Sequence, residues 1–210
     1  MKWSEEAWNA TEEVFDSIKE LPFVTELAAG TLDMRKFKFY INQDRLYLDT
    51  YTRVLAHIAS RMPDNDDMAA FLRFSTDGVA VEKSLHAGYS HEICDRKTMA
   101  CTFYTAYLKS MCEAPLAVEA AAVLPCFWVY QKVGEHILST ANLKANPYAD
   151  WISTYAGEGF DNDTRKVIGI CDRLASDVSG EVWREMTQAY VNCTKLEWLF
   201  WDNAYKEEYF

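Results

Sequence analysis

The sequence predicts an all-α fold, a single-domain helical bundle, and three observations carry that prediction. Only 8 glycines and 5 prolines punctuate 210 residues, both below the usual shares of about 7% and 5%, so turns are few and elements long. No stretch alternates apolar and polar residues for long enough to read as a strand. Half of the residues are apolar and a quarter are charged, which excludes a disordered chain and supplies one sizeable core.

The punctuation sets each helix in turn. A first block runs from about Ser4 to Leu21, and Pro22 opens a short second that Gly30 closes. Asp33 is placed to cap a long third helix through Arg61, stopped by Met62-Pro63. The acidic cluster Asp64-Asn65-Asp66-Asp67 starts a fourth, running to about Ser90. A fifth covers Lys97 to Cys112, and Pro115 begins a sixth that reaches about Thr140. Asn146-Pro147 marks a turn before a short seventh ending at Ala156-Gly157. The eighth covers about Asp163 to Ser179, and after Gly180 the last runs nearly to the C-terminus. With no repeat and no Gly- or Ser-rich linker, residues 1–210 form one domain, an expected bundle of eight or nine helices whose sequential neighbours are mostly antiparallel.

Charge and composition narrow the function. A net charge of −11 with no basic run or zinc-finger spacing argues against nucleic acid and anionic membrane surfaces as partners. The start Met1-Lys2-Trp3-Ser4-Glu5-Glu6 does not read as a signal peptide. No window approaches 18 uninterrupted apolar residues, so no spanning segment is expected. The six cysteines lack any CxxC pair, the pattern of reduced thiols in a cytoplasmic protein. Seven Trp and twelve Tyr are more ring surface than packing alone requires and point to a lined pocket.

Reactive groups stand inside aromatic stripes on four helices. On the third, Tyr40, Asp44, Tyr47, Leu48 and Tyr51 share one face; an acid among these rings is solvent-facing, ion-paired or functional. On the sixth, Pro125 interrupts an apolar run at a cost of roughly 3 kcal/mol. Cys126 follows it and Tyr130 lies one turn on, so the thiol is either a packed core group beside a kink or a reactive one. On the last, Tyr190, Cys193, Thr194, Glu197, Phe200, Trp201 and Ala204 share a face, and Glu197 has no lysine on its side to neutralise it. Desolvation there raises a carboxyl toward the pKa of a neutral-pH acid. Tyr104, Tyr107, Leu108 and Met111 on the fifth either close the remaining wall or pack as core. Together these groups fit a cysteine nucleophile with an acid/base partner in an aromatic pocket for a flat ring. They do not select a reaction.

The segments Gly30-Thr31-Leu32, Tyr40-Ile41-Asn42-Gln43-Asp44-Arg45-Leu46-Tyr47-Leu48, Leu124-Pro125-Cys126-Phe127-Trp128-Val129-Tyr130, Trp151-Ile152-Ser153-Thr154-Tyr155 and Glu197-Trp198-Leu199-Phe200-Trp201 stand in the order and approximate spacing of one family. Over nearly its whole length the chain resembles the TenA (thiaminase II) family. The resemblance implies a heme-oxygenase-like helical fold without heme and an aminopyrimidine aminohydrolase activity in thiamin salvage. The substrate implied is 4-amino-5-aminomethyl-2-methylpyrimidine, hydrolysed to the hydroxymethyl pyrimidine, with thiamin cleaved as a related activity. By the same resemblance Cys126 is the nucleophile and Glu197 the acid/base. Asp44 grips the aminopyrimidine edge, Tyr104, Tyr130 and Tyr155 supply hydroxyls around ring and thiol, and Tyr47 and Phe200 form stacking walls. Tyr47 stands where relatives often carry Phe. No metal or organic cofactor is expected, and the implied assembly is a homotetramer.

Two other readings are separable. A dinuclear-iron oxidase on the same scaffold wants two glutamates and two Glu-x-x-His pairs; here Glu82 and His86 are four apart, His91-Glu92 and Glu135-His136 are adjacent, and no Glu-x-x-His exists. A catalytically silent pyrimidine-binding regulator is disfavoured by retention of both Cys126 and Glu197.

Overall fold

The computed structural model describes residues 2–89 and 94–209, with side chains for all of these except 81–89. Among the described residues every regular element is helical: α1 (Trp3–Asn9), α2 (Glu12–Lys19), α3 (Pro22–Ala29), α4 (Met34–Arg61), α5 (Asn65–Tyr89), α6 (Met99–Ser110), α7 (Leu116–Thr140), α8 (Ala149–Tyr155), α9 (Glu158–Ser176) and α10 (Gly180–Lys206). A 3-10 turn, Met111–Glu113, leads from α6 toward α7. The all-α expectation holds.

Several ends fall where the residue chemistry puts them. Pro22 opens α3 and Gly30 closes it in the left-handed region at φ 71°. Asp33 caps α4 by accepting the Arg35 N–H at 2.8 Å. Thr98 does the same for α6, accepting from Cys101 N at 3.1 Å. Two boundaries differ from expectation. The block from Ser4 to Leu21 is two helices, because Thr11 leaves the helical region and its hydroxyl donates to the Ala7 and Trp8 carbonyls at 3.3 and 3.0 Å. α9 starts at Glu158, well before Asp163, with Gly157 at its N-cap and Glu158 and Asp161 in the first turn, where acids suit the helix dipole.

The core is built around α7. Its residues Ala120 through Leu124 are wholly buried, and apolar groups occupy nearly every side of it, as a helix enclosed by other helices requires. By length and composition α7 would be apolar enough to cross a bilayer, but here α9 and α10 pack along it and most of that apolar stretch is buried inside the protein. Pro125 lies within α7 without ending it. The missing N–H deprives the Ala121 carbonyl of its helical partner. All six cysteines are free thiols.

Two local devices fix what surrounds the site. Asn42 and Gln43, adjacent on α4, hold the segment 94–98 with their side-chain amides. Asn42 donates to the Cys94 carbonyl at 2.8 Å and accepts its N–H at 3.2 Å. Gln43 donates to the Arg96 carbonyl at 3.0 Å and accepts the Thr98 N–H at 2.9 Å. Thr98 in turn caps α6, so the start of α6 is tied to α4. At Gly134 a Cβ would fall 2.7 Å from the Tyr155 carbonyl carbon and 2.8 Å from the Ala156 nitrogen. Only glycine lets the end of α8, and Tyr155 with it, lie this close to α7.

Candidate active site

Five helices bring the sequence-predicted residues inward: Asp44 and Tyr47 from α4, Tyr104 from α6, Cys126 and Tyr130 from α7, Tyr155 from α8, Glu197 and Phe200 from α10. All except Cys126 are buried, so Asp44 is an interior acid and not a surface one. Cys126 is half-buried because it also lines a cleft.

Electrostatics follow from that burial. Glu197 is pushed up to about 8, first by loss of water, then by the neighbouring Asp44 charge, against a hydrogen bond from the Tyr104 hydroxyl at 2.8 Å that favours the carboxylate. At neutral pH it therefore holds a proton. Burial also raises the Cys126 thiol, and the Glu197 and Asp44 charges add to it; the Tyr47 and Tyr51 hydroxyls oppose the shift. Tyr51 is committed to the Val123 carbonyl at 2.9 Å. Among the described residues the buried Tyr47 hydroxyl, which lies near the Cys126 thiol, has no partner at hydrogen-bond distance, a requirement that a bound polar molecule can satisfy.

The rings are arranged differently from two parallel walls. Tyr47 and Phe200 meet edge to face with centroids 5.8 Å apart at 61°. A ring sandwiched between two others needs about 7 Å, twice the ~3.5 Å contact distance. The two are adjoining walls. Tyr47 also stacks on Tyr51 at 5.3 Å and packs on Tyr104 at 4.8 Å, while Tyr155 lies 4.9 Å from Tyr130.

A relay that sequence reasoning did not assign stands behind Tyr130. Trp151 Nε1 donates to the Tyr40 hydroxyl at 3.4 Å, and Tyr40 donates to the Tyr130 hydroxyl at 3.2 Å. The indole N–H can only donate, so Tyr40 accepts there, and with the Tyr40 proton in the bond to Tyr130 the Tyr130 proton is left to point onward. Tyr40 stands on the Asp44 face of α4, one turn before it, and was legible as a stripe member. The partnership with Trp151 was not.

Among the described residues one cluster gathers metal-type ligand atoms, His57, Cys112 and Glu119, within 4.8 Å of one another. Both Glu119 oxygens are already taken, by His57 Nδ1 at 2.7 Å and Arg61 Nη1 at 2.5 Å. A cation there would face the guanidinium, so the cluster reads as a buried ion pair tying the end of α4 to the start of α7. Of the residues considered for an iron site, the Glu82 and His86 side chains and residues His91 and Glu92 lie outside those described. Glu135 is held by Gln131 and Lys132 at 2.5 and 2.8 Å.

A buried carboxylic acid with a thiol and a second acid as its electrostatic neighbours marks a helical protein whose interior carries groups of the nucleophilic and acid/base type. The TENA/THI-4/PQQC family model matches residues 8–207, and the chain belongs to that family. It is 34% identical over 209 residues to the thiamine biosynthesis multifunctional protein ThiED of Corynebacterium efficiens; the match covers 95% of this chain and 28% of that protein, so the chain spans little more than a quarter of that relative's length. It is 30% identical to an aminopyrimidine aminohydrolase of Bacillus subtilis, over 99% of this chain and 92% of that one. Among solved structures, a TenA homologue from P. horikoshii OT3 superposes with a TM-score of 0.84 at 26% identity, over 98% of this chain and 99% of that one. The fold is the heme-oxygenase-like helical one expected.

Proposed function

We propose that this protein hydrolyses aminopyrimidines derived from thiamin, converting 4-amino-5-aminomethyl-2-methylpyrimidine and water to the hydroxymethyl pyrimidine and ammonia in thiamin salvage, with cleavage of thiamin as a related activity. The observation that supports the reading is Glu197, a buried carboxyl held protonated near neutral pH, standing close enough to Cys126 for its charge to act on the thiol. The names of the full-length relatives support the same chemistry.

The amine leaves from a methylene on an aromatic ring, a poor centre for direct displacement by water. Sulfur first bonds to ring carbon 6 and the thiol proton passes to a ring nitrogen. Ring electron pairs then break the exocyclic C–N bond, and the amine departs with the Glu197 proton as ammonia. Water adds to the exposed methylene and returns a proton to Glu197. The C–S bond breaks as the ring nitrogen gives its proton back to sulfur, and aromaticity is restored. The step needs a soft nucleophile that also leaves readily, which selects Cys over Ser. Asp44 suits the aminopyrimidine edge, an acceptor nitrogen beside an amino donor, by sharing a proton with it. Tyr130 and Tyr155 supply hydroxyls beside the thiol, and the Tyr47 hydroxyl a further contact.

Ammonia release from the aminomethyl pyrimidine tests the reading. Cys126→Ser abolishes turnover while pyrimidine binding persists; near-normal hydrolysis by that variant overturns the cysteine mechanism. A silent wild-type protein that still binds the pyrimidine makes the chain a regulator or carrier. A cytoplasmic homotetramer belongs to the same reading, supported by the exposed Met99 and Phe103 one turn apart on α6; sedimentation of the purified protein checks the assembly.

A further inference from the structure

Trp201 is the one tryptophan among the described residues that is fully buried with its indole N–H unpaired. Of the other two buried indoles, Trp3 donates to the Thr187 hydroxyl at 3.1 Å and Trp151 to the Tyr40 hydroxyl at 3.4 Å. Half-buried Trp183 donates to Glu6 at 2.9 Å, and Trp8, Trp128 and Trp198 keep part of their surface in water. Buried donors are nearly always met, and an indole N–H is met only by an acceptor.

The place of Trp201 on α10 indicates which acceptor. It follows Glu197 by one turn on the same buried face. Residues four apart are neighbours on a helix, and long side chains there lean toward its N-terminus, so the indole leans toward the acid. Its ring packs on the Tyr130 ring with centroids 4.8 Å apart. Burial first, then the Tyr40, Glu197 and Asp44 charges, push the Tyr130 phenol up, so that ring adjoins the acid as well. An orphan donor beside an acid, deep in a packed interior, suits the smallest molecule that both accepts and donates, which is water.

We propose that Trp201 holds the water that the reaction consumes: Nε1 donates to the water oxygen while the water faces Glu197. The inference rests on the proposed reaction. Once ammonia has left with its proton, Glu197 is a carboxylate. The water oxygen then bonds to the exposed methylene carbon, the displaced electron pair moves into the ring, and one water proton passes to Glu197. The indole N–H occupies one lone pair of the water and leaves the other for the methylene. Sulfur addition and ammonia loss need no water, so Trp201 serves only the second half of the reaction.

Trp201→Phe keeps an aromatic ring and removes the N–H. In that variant ammonia appears in a burst equal to the enzyme present, and the hydroxymethyl pyrimidine follows at least tenfold more slowly than in the wild type. The pyrimidine methylene adduct accumulates on Cys126, read by intact-protein mass after acid quench. A Trp201 that only packs slows ammonia and alcohol in step or slows neither, and either result overturns the proposal. The wild-type protein gives a check that needs neither variant nor turnover. With tryptophan labelled by nitrogen-15, the Trp201 indole proton shows a nuclear Overhauser contact to water although its ring is fully buried; no such contact overturns the water site. A wild-type protein that releases no ammonia sinks the proposed reaction instead, and the Overhauser contact still decides the site.

Discussion

Tyr104 and Glu197 stand 93 residues apart in the chain and meet through a 2.8 Å hydrogen bond in the interior. The phenol donates to Oε1, and because burial holds the acid protonated up to about pH 8, its own proton stays available as a donor on the other oxygen. A carboxyl with this pKa in the folded state and an ordinary one near 4.3 in the unfolded chain binds its proton more tightly when folded. Its contribution to stability is complete below the unfolded value and is lost as pH rises toward about 8. Glu197→Gln has no such titration. Relative to the variant, the wild-type protein loses on the order of a few kcal/mol between pH 4.5 and 9, at roughly 2–4 °C of Tm per kcal/mol. Thermal melts across that range check it, and parallel Tm curves would show an ordinary, hydrated carboxyl. The same variant loses most of its hydrolysis rate without unfolding.

The neighbours of Glu197 move its pKa in opposite directions. Tyr104 stabilises the carboxylate, so Tyr104→Phe raises the pKa above its present value. The Asp44 charge destabilises it, so Asp44→Asn lowers the pKa, with burial still keeping it above the usual carboxylate range. Carboxyl titration by carbon-13 NMR reads both shifts without requiring activity. Shifts of the same sign would separate Glu197 from one of the two groups. Asp44→Asn also weakens substrate binding and rate together.

Glu119, wholly buried on α7, bonds Arg61 at 2.5 Å and His57 at 2.7 Å. Removing one partner of a buried pair strands the other. Glu119→Gln costs about 3 kcal/mol, the low end of the usual range for such a loss, since Arg61 and His57 keep part of their surface in water. Urea titration measures it. A loss below about 1 kcal/mol would mean the cluster behaves as a surface ion pair.

Much of this was legible in the chain because proline, glycine and capping acids act locally: Pro22, Gly30, Asp33 and Met62-Pro63 mark ends that the structure keeps. The break at Thr11 was not, because it turns on one hydroxyl bonding backwards, an alternative with little signature in sequence. The face holding Asp44, Tyr47 and Tyr51 followed from helical spacing, but whether that face met water or core depended on which helix covered it. That Tyr47 and Phe200 are a pair of walls was implied by the family resemblance alone; the angle between them is set by how α4 crosses α10, which no local pattern encodes. Asn42 and Gln43 looked like ordinary polar residues, and their hold on segment 94–98 is a tertiary fact.

The relay from Trp151 through Tyr40 gives the last prediction. With the indole donating to Tyr40 and the Tyr40 proton in the bond to Tyr130, the Tyr130 proton is free to serve the reactive groups. Tyr130→Phe removes that donor and costs about a hundredfold in kcat, the lower end for a positioned proton-transfer group. Tyr40→Phe leaves the Tyr130 hydroxyl in place but without the bond that orients it, and costs about tenfold, with KM little changed. Tyr40 acts only through Tyr130, so the double variant is no slower than Tyr130→Phe alone, a non-additivity that a double-mutant cycle on kcat reads directly. Independent, additive losses would mean that Tyr40 serves the pocket by packing and that the proton direction along the relay has no part in turnover.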